Sequence, residues 1–173
     1  MNNYREKLKK ITTFIFDFDG VLSDGKVYAF PDGDQIRGTD TKDGYALHYA
    51  LKQGYRVAII SGGYSETMKL RFQNHEGMDI YLKVSDKVLK YEEYREMHGL
   101  CYDEIMYVGD DIPDYPVMQL SGLKCCPADA AEEIKAISDY ISFKNGGAGC
   151  VRDVIEQTMK AQGKWFGKDA FIW

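Results

Sequence analysis

Short apolar runs recur along the chain, and most are closed by Gly, Pro or Asp. Six of them, Thr12–Phe16, Arg56–Ile60, Ile80–Leu82, Glu104–Val108, Leu123–Cys126 and Tyr140–Ser142, read as strands. A strand covered on both faces carries a continuous apolar run instead of strict alternation. Helix-length stretches lie between and after these runs, at about Asp43–Gln53, Ser65–Asn74, Asp86–His98, Pro113–Leu120, Ala130–Ser138 and Gly149–Gln162. This alternation predicts β-α-β units, hence an α/β chain with a mainly parallel sheet and helices on both faces. One stretch breaks the rhythm. In Lys26–Thr39, two strand-like pieces flank Pro31-Asp32-Gly33-Asp34, whose turn chemistry predicts a β-hairpin flap. The end of the chain, residues 164–173, carries Trp165, Phe166, Phe171, Ile172 and Trp173 without a period, which predicts docking on its own domain or on a neighbour.

The 173 residues are 45% hydrophobic, enough for one domain over residues 1–173 with a sizeable core. The 22 Lys and Arg against 27 Asp and Glu leave a net charge of −5, which argues against a general nucleic-acid partner or an anionic membrane surface. An anionic substrate must therefore be held by local cations. No segment approaches the roughly 20 apolar residues needed to cross a bilayer. The start, Met1 to Lys10, is charged and lacks a signal-peptide apolar core, so a cytoplasmic protein is expected. Cys101, Cys125, Cys126 and Cys150 show no C-x-x-C spacing and lie in or beside apolar runs, which favours buried reduced thiols.

Chemistry concentrates where strands end, the place where open α/β sheets bind ligands. Phe14-Ile15-Phe16-Asp17-Phe18-Asp19-Gly20 sets Asp17 and Asp19 two residues apart, with Gly20 free to turn sharply and approach a small anion. By itself this is equally an Asp-rich turn. Ile60-Ser61-Gly62-Gly63 offers a hydroxyl and backbone N–H groups to phosphate oxygens. Lys87 stands near a helix start, which the helix dipole disfavours unless an anion compensates it. Gly109-Asp110-Asp111-Ile112-Pro113-Asp114 brings three acids to another strand end. Clustered carboxylates repel one another without a cation, and oxygen-only ligands point to Mg²⁺.

In this order, Asp17-x-Asp19, Ser61-Gly62, Lys87 and Gly109-Asp110-Asp111-x-x-Asp114 resemble the four motifs of the haloacid dehalogenase superfamily of phosphohydrolases. The resemblance implies a Rossmann-like fold in which Asp17 is the nucleophile and Asp19 the acid and base. It also implies Mg²⁺ held by Asp17, Asp110 and the Asp19 backbone carbonyl, with Asp111 and Asp114 orienting its waters or Lys87. Ser61, Gly62 and Lys87 would bind the transferring phosphoryl group. The spaces from Asp19 to Ser61 and from Ser61 to Lys87 are too short for a cap domain. A capless site stays open to water, so a neighbouring subunit is the simplest source of a lid.

The finer resemblance covers almost the whole chain. Asp17–Gly25 (DFDGVLSDG), Thr41–Tyr45 (TKDGY), Val108–Met118 (VGDDIPDYPVM), Gly146–Asp153 (GGAGCVRD) and Ala161–Lys164 (AQGK) look like the 3-deoxy-D-manno-octulosonate 8-phosphate phosphatase family. That family is capless and homotetrameric and serves lipopolysaccharide biosynthesis. Its flap hairpin builds the tetramer, and its C-terminal tail can reach a neighbour's site. Asp40, Lys42, Asp43, Gly44, His48 and Arg71 fall where it contacts substrate; the bland readings are a surface histidine at His48 and a helix ion pair at Arg71. Two departures stand out: many relatives carry arginines where this chain has Gly63 and Ala148. The alternatives are a phosphatase for a nine-carbon sialic-acid-type 9-phosphate and, from another class, a receiver-like phospho-aspartate signalling domain. Receivers place adjacent acids first and the lysine last, the reverse of this chain. An inactive scaffold would lack the nucleophile or a metal acid, and neither is missing.

Overall fold

The structure, a computed structural model, describes residues 4–172; Met1–Asn3 and the tail residue Trp173 lie outside. Six parallel strands form one sheet: β1 (Thr13–Phe16), β4 (Arg56–Ile60), β5 (Met78–Tyr81), β6 (Ile105–Val108), β7 (Leu123–Cys126) and β8 (Tyr140–Ile141). Their spatial order is β5-β4-β1-β6-β7-β8, which puts β1 at the centre.

Register sorts the side chains between two cores. Phe14 lies opposite Val57 on one side and Met106 on the other. These three, with Phe16, Ile59 and Val108, face α2 (Thr41–Lys52) and α7 (Cys150–Ala161), meeting Ala46, Leu47, Val151 and Ile155. The alternate residues Ile15, Ala58, Ile60, Ile105 and Tyr107 face α4 (Lys87–Met97), α5 (Tyr115–Leu120) and α6 (Glu132–Ile137). Period-two alternation between two apolar faces is why the strands read as unbroken hydrophobic runs.

The predicted strands and helices are all present, with shifts of a few residues at their ends. The stretch beginning at Pro113 is divided, because Ile112–Asp114 forms a tight 3-10 turn with Pro near its start before α5 begins. A short helix, α1 (Tyr4–Leu8), lies in the stretch read only as charged. The flap is a hairpin, but its strands β2 (Tyr28–Ala29) and β3 (Gln35–Ile36) are two residues long and separate from the main sheet. Its base is pinned by an antiparallel bridge between Ser23 and Thr39. Between β1 and β4 lie only this flap and α2, and between β4 and α4 only α3 (Glu66–Phe72) and β5, so the fold has no cap.

Cys125, Cys126 and Cys150 are buried free thiols, whereas Cys101 is free but exposed; it precedes a surface 3-10 turn instead of lying within a strand. The tail docks on its own domain. Trp165 packs edge-on against Tyr49 with ring centroids 5.6 Å apart, the Gly167 N–H donates to the Tyr49 hydroxyl at 3.1 Å, and the Tyr45 hydroxyl donates to the Ala170 carbonyl. Phe166, Phe171 and Ile172 remain exposed. No described helix is long and apolar enough to cross a membrane.

Candidate active site

Beyond the carboxyl ends of β1, β4 and β6 opens a cleft of about 330 Å³ that gathers Asp17, Asp19, Ser61, Gly62, Lys87, Asp110, Asp111 and Asp114. Parallel strands bring this about, since each ends at the same edge of the sheet and delivers its following loop there. Asp17 leaves β1 with its N–H bonded to the Val108 carbonyl at 3.0 Å, which fixes it beside β6. Its Oδ1 accepts the Phe18 N–H at 2.6 Å, while Oδ2 meets Lys87 Nζ at 2.9 Å.

Lys87 opens α4, whose first turn is capped by Asp86 through the Leu89 N–H at 2.9 Å. The anions that compensate its unfavourable place at a helix start are Asp17 and Asp114, the latter 2.7 Å away. Burial works against the charged lysine, yet the two carboxylates outweigh it and raise its pKa. Asp114 is committed on both oxygens: Oδ1 accepts from Lys87 and, at 2.9 Å, from the buried Tyr107 hydroxyl, and Oδ2 accepts the Asp110 N–H at 3.2 Å. Asp111 is exposed, and its carboxylate accepts the neighbouring Ile112 N–H at 2.8 Å. Ser61 is buried at the end of β4, its hydroxyl accepting the Gly63 N–H at 3.1 Å.

Carboxylate oxygens of Asp17, Asp110 and Asp114 lie within 4.8 Å of one another. Three carboxylates against one lysine leave the cluster short of positive charge. Burial, with Asp114 adding to it, pushes Asp17 up to about 7; burial with Asp17 and Asp114 pushes Asp110 up to about 8. Asp110 Oδ1 is buried without a hydrogen-bond partner. An orphaned acceptor among hard oxygen donors fits Mg²⁺. Because Asp114 is already saturated, Asp17 and Asp110 are the better-placed donors. Gly20, at φ +87°, makes room: a Cβ there would sit 1.9 Å from Asp110 Oδ2.

Residues 63–155 match the haloacid dehalogenase-like hydrolase family. A 3-deoxy-D-manno-octulosonate 8-phosphate phosphatase from Salmonella typhi is 34% identical over 91% of this chain and 84% of its own. The chain belongs to the haloacid dehalogenase-like hydrolases. Two solved structures carry the likeness to the fold. The 3-deoxy-D-manno-octulosonate 8-phosphate phosphatase of Yersinia pestis superposes with a TM-score of 0.92 at 30% identity, covering 96% of this chain and 90% of that one. The enzyme of that name from Moraxella catarrhalis, in complex with magnesium ion, phosphate ion and a KDO molecule, gives 0.91 at 32% identity, covering 99% and 97%.

The other predicted positions of this hydrolase lie outside the cleft within one chain. Asp40 caps α2 by accepting the Lys42 N–H at 2.6 Å, and both line a groove with Arg152 and Lys160. Asp43 is buried and caps a different helix, accepting the Arg152 N–H at 2.7 Å and the Gly149 N–H at 3.3 Å at the start of α7. Gly44 lies against Arg71, whose Nη2 is 2.5 Å from where a Cβ would stand. Arg71 Nε bonds the Thr39 hydroxyl at 3.0 Å and lines a cavity of about 390 Å³ under the flap. His48 sets its ring edge-on to His75, centroids 6.0 Å apart, and burial lowers its pKa toward the neutral ring.

Three site residues carry no local signal: Tyr107, Ser23 and Arg37. Ser23 donates to Asp19 Oδ1 at 3.2 Å, and Arg37 Nε reaches the same oxygen at 2.5 Å. Only the period-two position of Tyr107, one residue before the last of β6, could have hinted at its place.

The raised carboxylates set a pH dependence. Unfolded, Asp17 and Asp110 titrate near 3.8; folded and metal-free, they hold their protons to about 7 and 8. The resulting stability is complete below about 4, falls progressively as pH rises, and is fully lost once pH has passed through 7 to 8. Mg²⁺ held by Asp17 and Asp110 would replace those protons. Its gain in thermal midpoint, read by scanning calorimetry, is expected to grow from pH 5.5 to 8, and a gain independent of pH would contradict this charge balance.

Proposed function

We propose that the protein hydrolyses 3-deoxy-D-manno-octulosonate 8-phosphate to 3-deoxy-D-manno-octulosonate and inorganic phosphate, with Mg²⁺ as cofactor, in lipopolysaccharide biosynthesis. What carries this reading is the pairing of Asp17 with Lys87 in a carboxylate cluster that holds a buried, unpartnered acceptor. The whole-chain likeness to the phosphatase of that name supports the substrate. It favours this reading over both the nine-carbon phosphatase and the receiver domain.

In the mechanism we assign, Asp17 attacks phosphorus in line and Asp19 protonates the leaving alkoxide. Asp17 then carries the phosphoryl group until Asp19 takes a proton from water, which attacks phosphorus and frees phosphate. Ser61, the Gly62 N–H and Lys87 hold phosphoryl oxygens, and Asp114 fixes Lys87 from behind. Asp17, Asp110 and the Asp19 carbonyl would hold Mg²⁺, which would neutralise charge on the phosphoryl group. Asp111 orients ordered water at the rim. Arg71 serves the sugar carboxylate from the cavity under the flap. Asp40 and Lys42 serve substrate from the groove they line beside Arg152, with His48 on the same helix, while the buried Asp43 and Gly44 act through what they hold in place, the start of α7 and Arg71.

The working form is a single-domain homotetramer of the cytoplasm in which a neighbour covers the open cleft. Val27, Tyr28, Phe30 and Ile36 on the flap are exposed apolar groups suited to burial between subunits.

Phosphate release should be compared for the eight-carbon acid, a nine-carbon keto-acid 9-phosphate and simple sugar phosphates, with light scattering on the same sample. The expected result is a strong, Mg²⁺-dependent preference for the eight-carbon acid. Preference for the nine-carbon ester would replace the substrate, and uniform weak activity would remove it.

A further inference from the structure

The flap is mostly exposed, yet it carries one side chain into the interior: Arg37, only 5% exposed. It reaches past the flap base to Asp19, with Nε 2.5 Å from Oδ1 and Nη1 3.3 Å from Gln35 Oε1. Ser23 donates to that same Oδ1 at 3.2 Å. One oxygen of Asp19 is thus engaged twice, and the other, Oδ2, is turned toward Gly63, where a Cβ would lie 2.8 Å from it. The same Cβ would stand 3.4 Å from Arg37 Nη2, so the guanidinium occupies the space above Gly63. A glycine there leaves room for a cation delivered from the flap. Burying a guanidinium is costly without a fixed partner, and Asp19 is that partner.

We infer that Arg37 is a positioning residue for Asp19: it commits Oδ1 and thereby aims Oδ2 at the leaving oxygen. This rests on the acid and base role proposed for Asp19. It also ties seating of the flap to readiness of the acid, beside two further polar ties of the flap to the domain, the Thr67 hydroxyl on the Gln35 carbonyl at 3.2 Å and Arg71 Nε on the Thr39 hydroxyl at 3.0 Å.

The distinction from a purely structural role lies in the leaving group. A nitrophenolate departs without a proton, whereas an alkoxide needs one. The kcat/KM value reports steps up to departure of the alcohol, so it isolates the first proton transfer. Arg37→Met is expected to lower kcat/KM for the eight-carbon sugar-acid phosphate about 100-fold and for p-nitrophenyl phosphate by less than about tenfold. Arg37→Lys keeps a cation with poorer geometry and should show the same imbalance at smaller size. With Asp19→Asn already present, Arg37→Met should add little further loss for the sugar ester. Equal losses on both esters in both variants, or full additivity with Asp19→Asn, would overturn the role of Arg37 alone. Absence of hydrolysis by the wild type on either ester would overturn the phosphatase reading and this inference with it.

Discussion

Asp17→Asn is expected to lower phosphate release by about 10⁴-fold or more, because the amide cannot form the aspartyl-phosphate, an acyl phosphate, through which the proposed reaction is divided into two displacements. Geometry should survive: the amide oxygen can still accept the Phe18 N–H, and Lys87 keeps Asp114 at 2.7 Å. Stability should move the other way. In the metal-free protein Asp17 is held up to about 7 by burial and by Asp114, so ionising it at neutral pH costs the fold. A neutral isostere removes that cost, and the metal-free variant should melt higher than the wild type at pH 8. Its gain from Mg²⁺ should shrink, since one donor is lost. Active sites often retain such unfavourable charge because the chemistry requires it. Calorimetry with and without Mg²⁺, beside phosphate release, checks both halves. Residual turnover near the wild-type rate would refute the nucleophile assignment, and a lower metal-free melting temperature would refute the charge balance.

Lys87→Met should have the largest effect on stability. Lys87 is 10% exposed and lies between Asp17 and Asp114, which are 12% and 1% exposed. Removing the cation leaves buried carboxylates facing one another. Breaking a buried pair from one side costs about 3–5 kcal/mol, far more than an exposed surface pair contributes. The carboxylates can relieve part of this by binding protons, so the loss should deepen as pH rises from 6 to 8. Mg²⁺ should restore some stability by supplying charge at the same place. It should not restore activity, because the phosphoryl group loses its fixed cation, an effect on the order of 10²–10³ in kcat. Urea titrations at two pH values distinguish this account from lost packing, which would give a pH-independent deficit.

Much of the fold could be read from the chain because its strands are buried on both faces. Phe14, Ile15 and Phe16 must all be apolar when alternate residues meet different helices, and such runs stand out. The four groups of site residues could be read for a related reason. Each follows an apolar run directly, as Asp17 follows Phe16 and Gly109-Asp110 follows Val108, so a parallel sheet carries all of them to one edge. Element ends were less legible, because caps such as Asp40 and Asp86 depend on local backbone geometry. The short α1 escaped notice because its sequence, YREKL, offers one buried residue, Leu8, and hence no period.

Other assignments needed distances. Asp43 and Asp40 are alike in sequence, three residues apart, yet Asp40 caps its own helix and Asp43 reaches across to cap α7. Nothing in the order Asp110-Asp111-x-x-Asp114 says which acid is saturated. The structure shows that Asp114 is engaged on both oxygens, that Asp111 faces solvent, and that Asp110 retains a buried oxygen without a partner. Arg37 sits in a polar hairpin, where a solvated side chain is the ordinary expectation. Only the fold of the flap over the cleft brings it to Asp19.

By itself, then, the sequence determined the α/β architecture, the absence of a cap, the family and the identity of the groups at the strand ends, because local patterning and chain order encode them. Tertiary structure alone decided which carboxylate faces which cation, which glycine makes room for a neighbour, and which arginine is buried. Those depend on pairings between residues far apart in the chain, such as Lys87 with Asp17 or Arg37 with Asp19, and no local period records them.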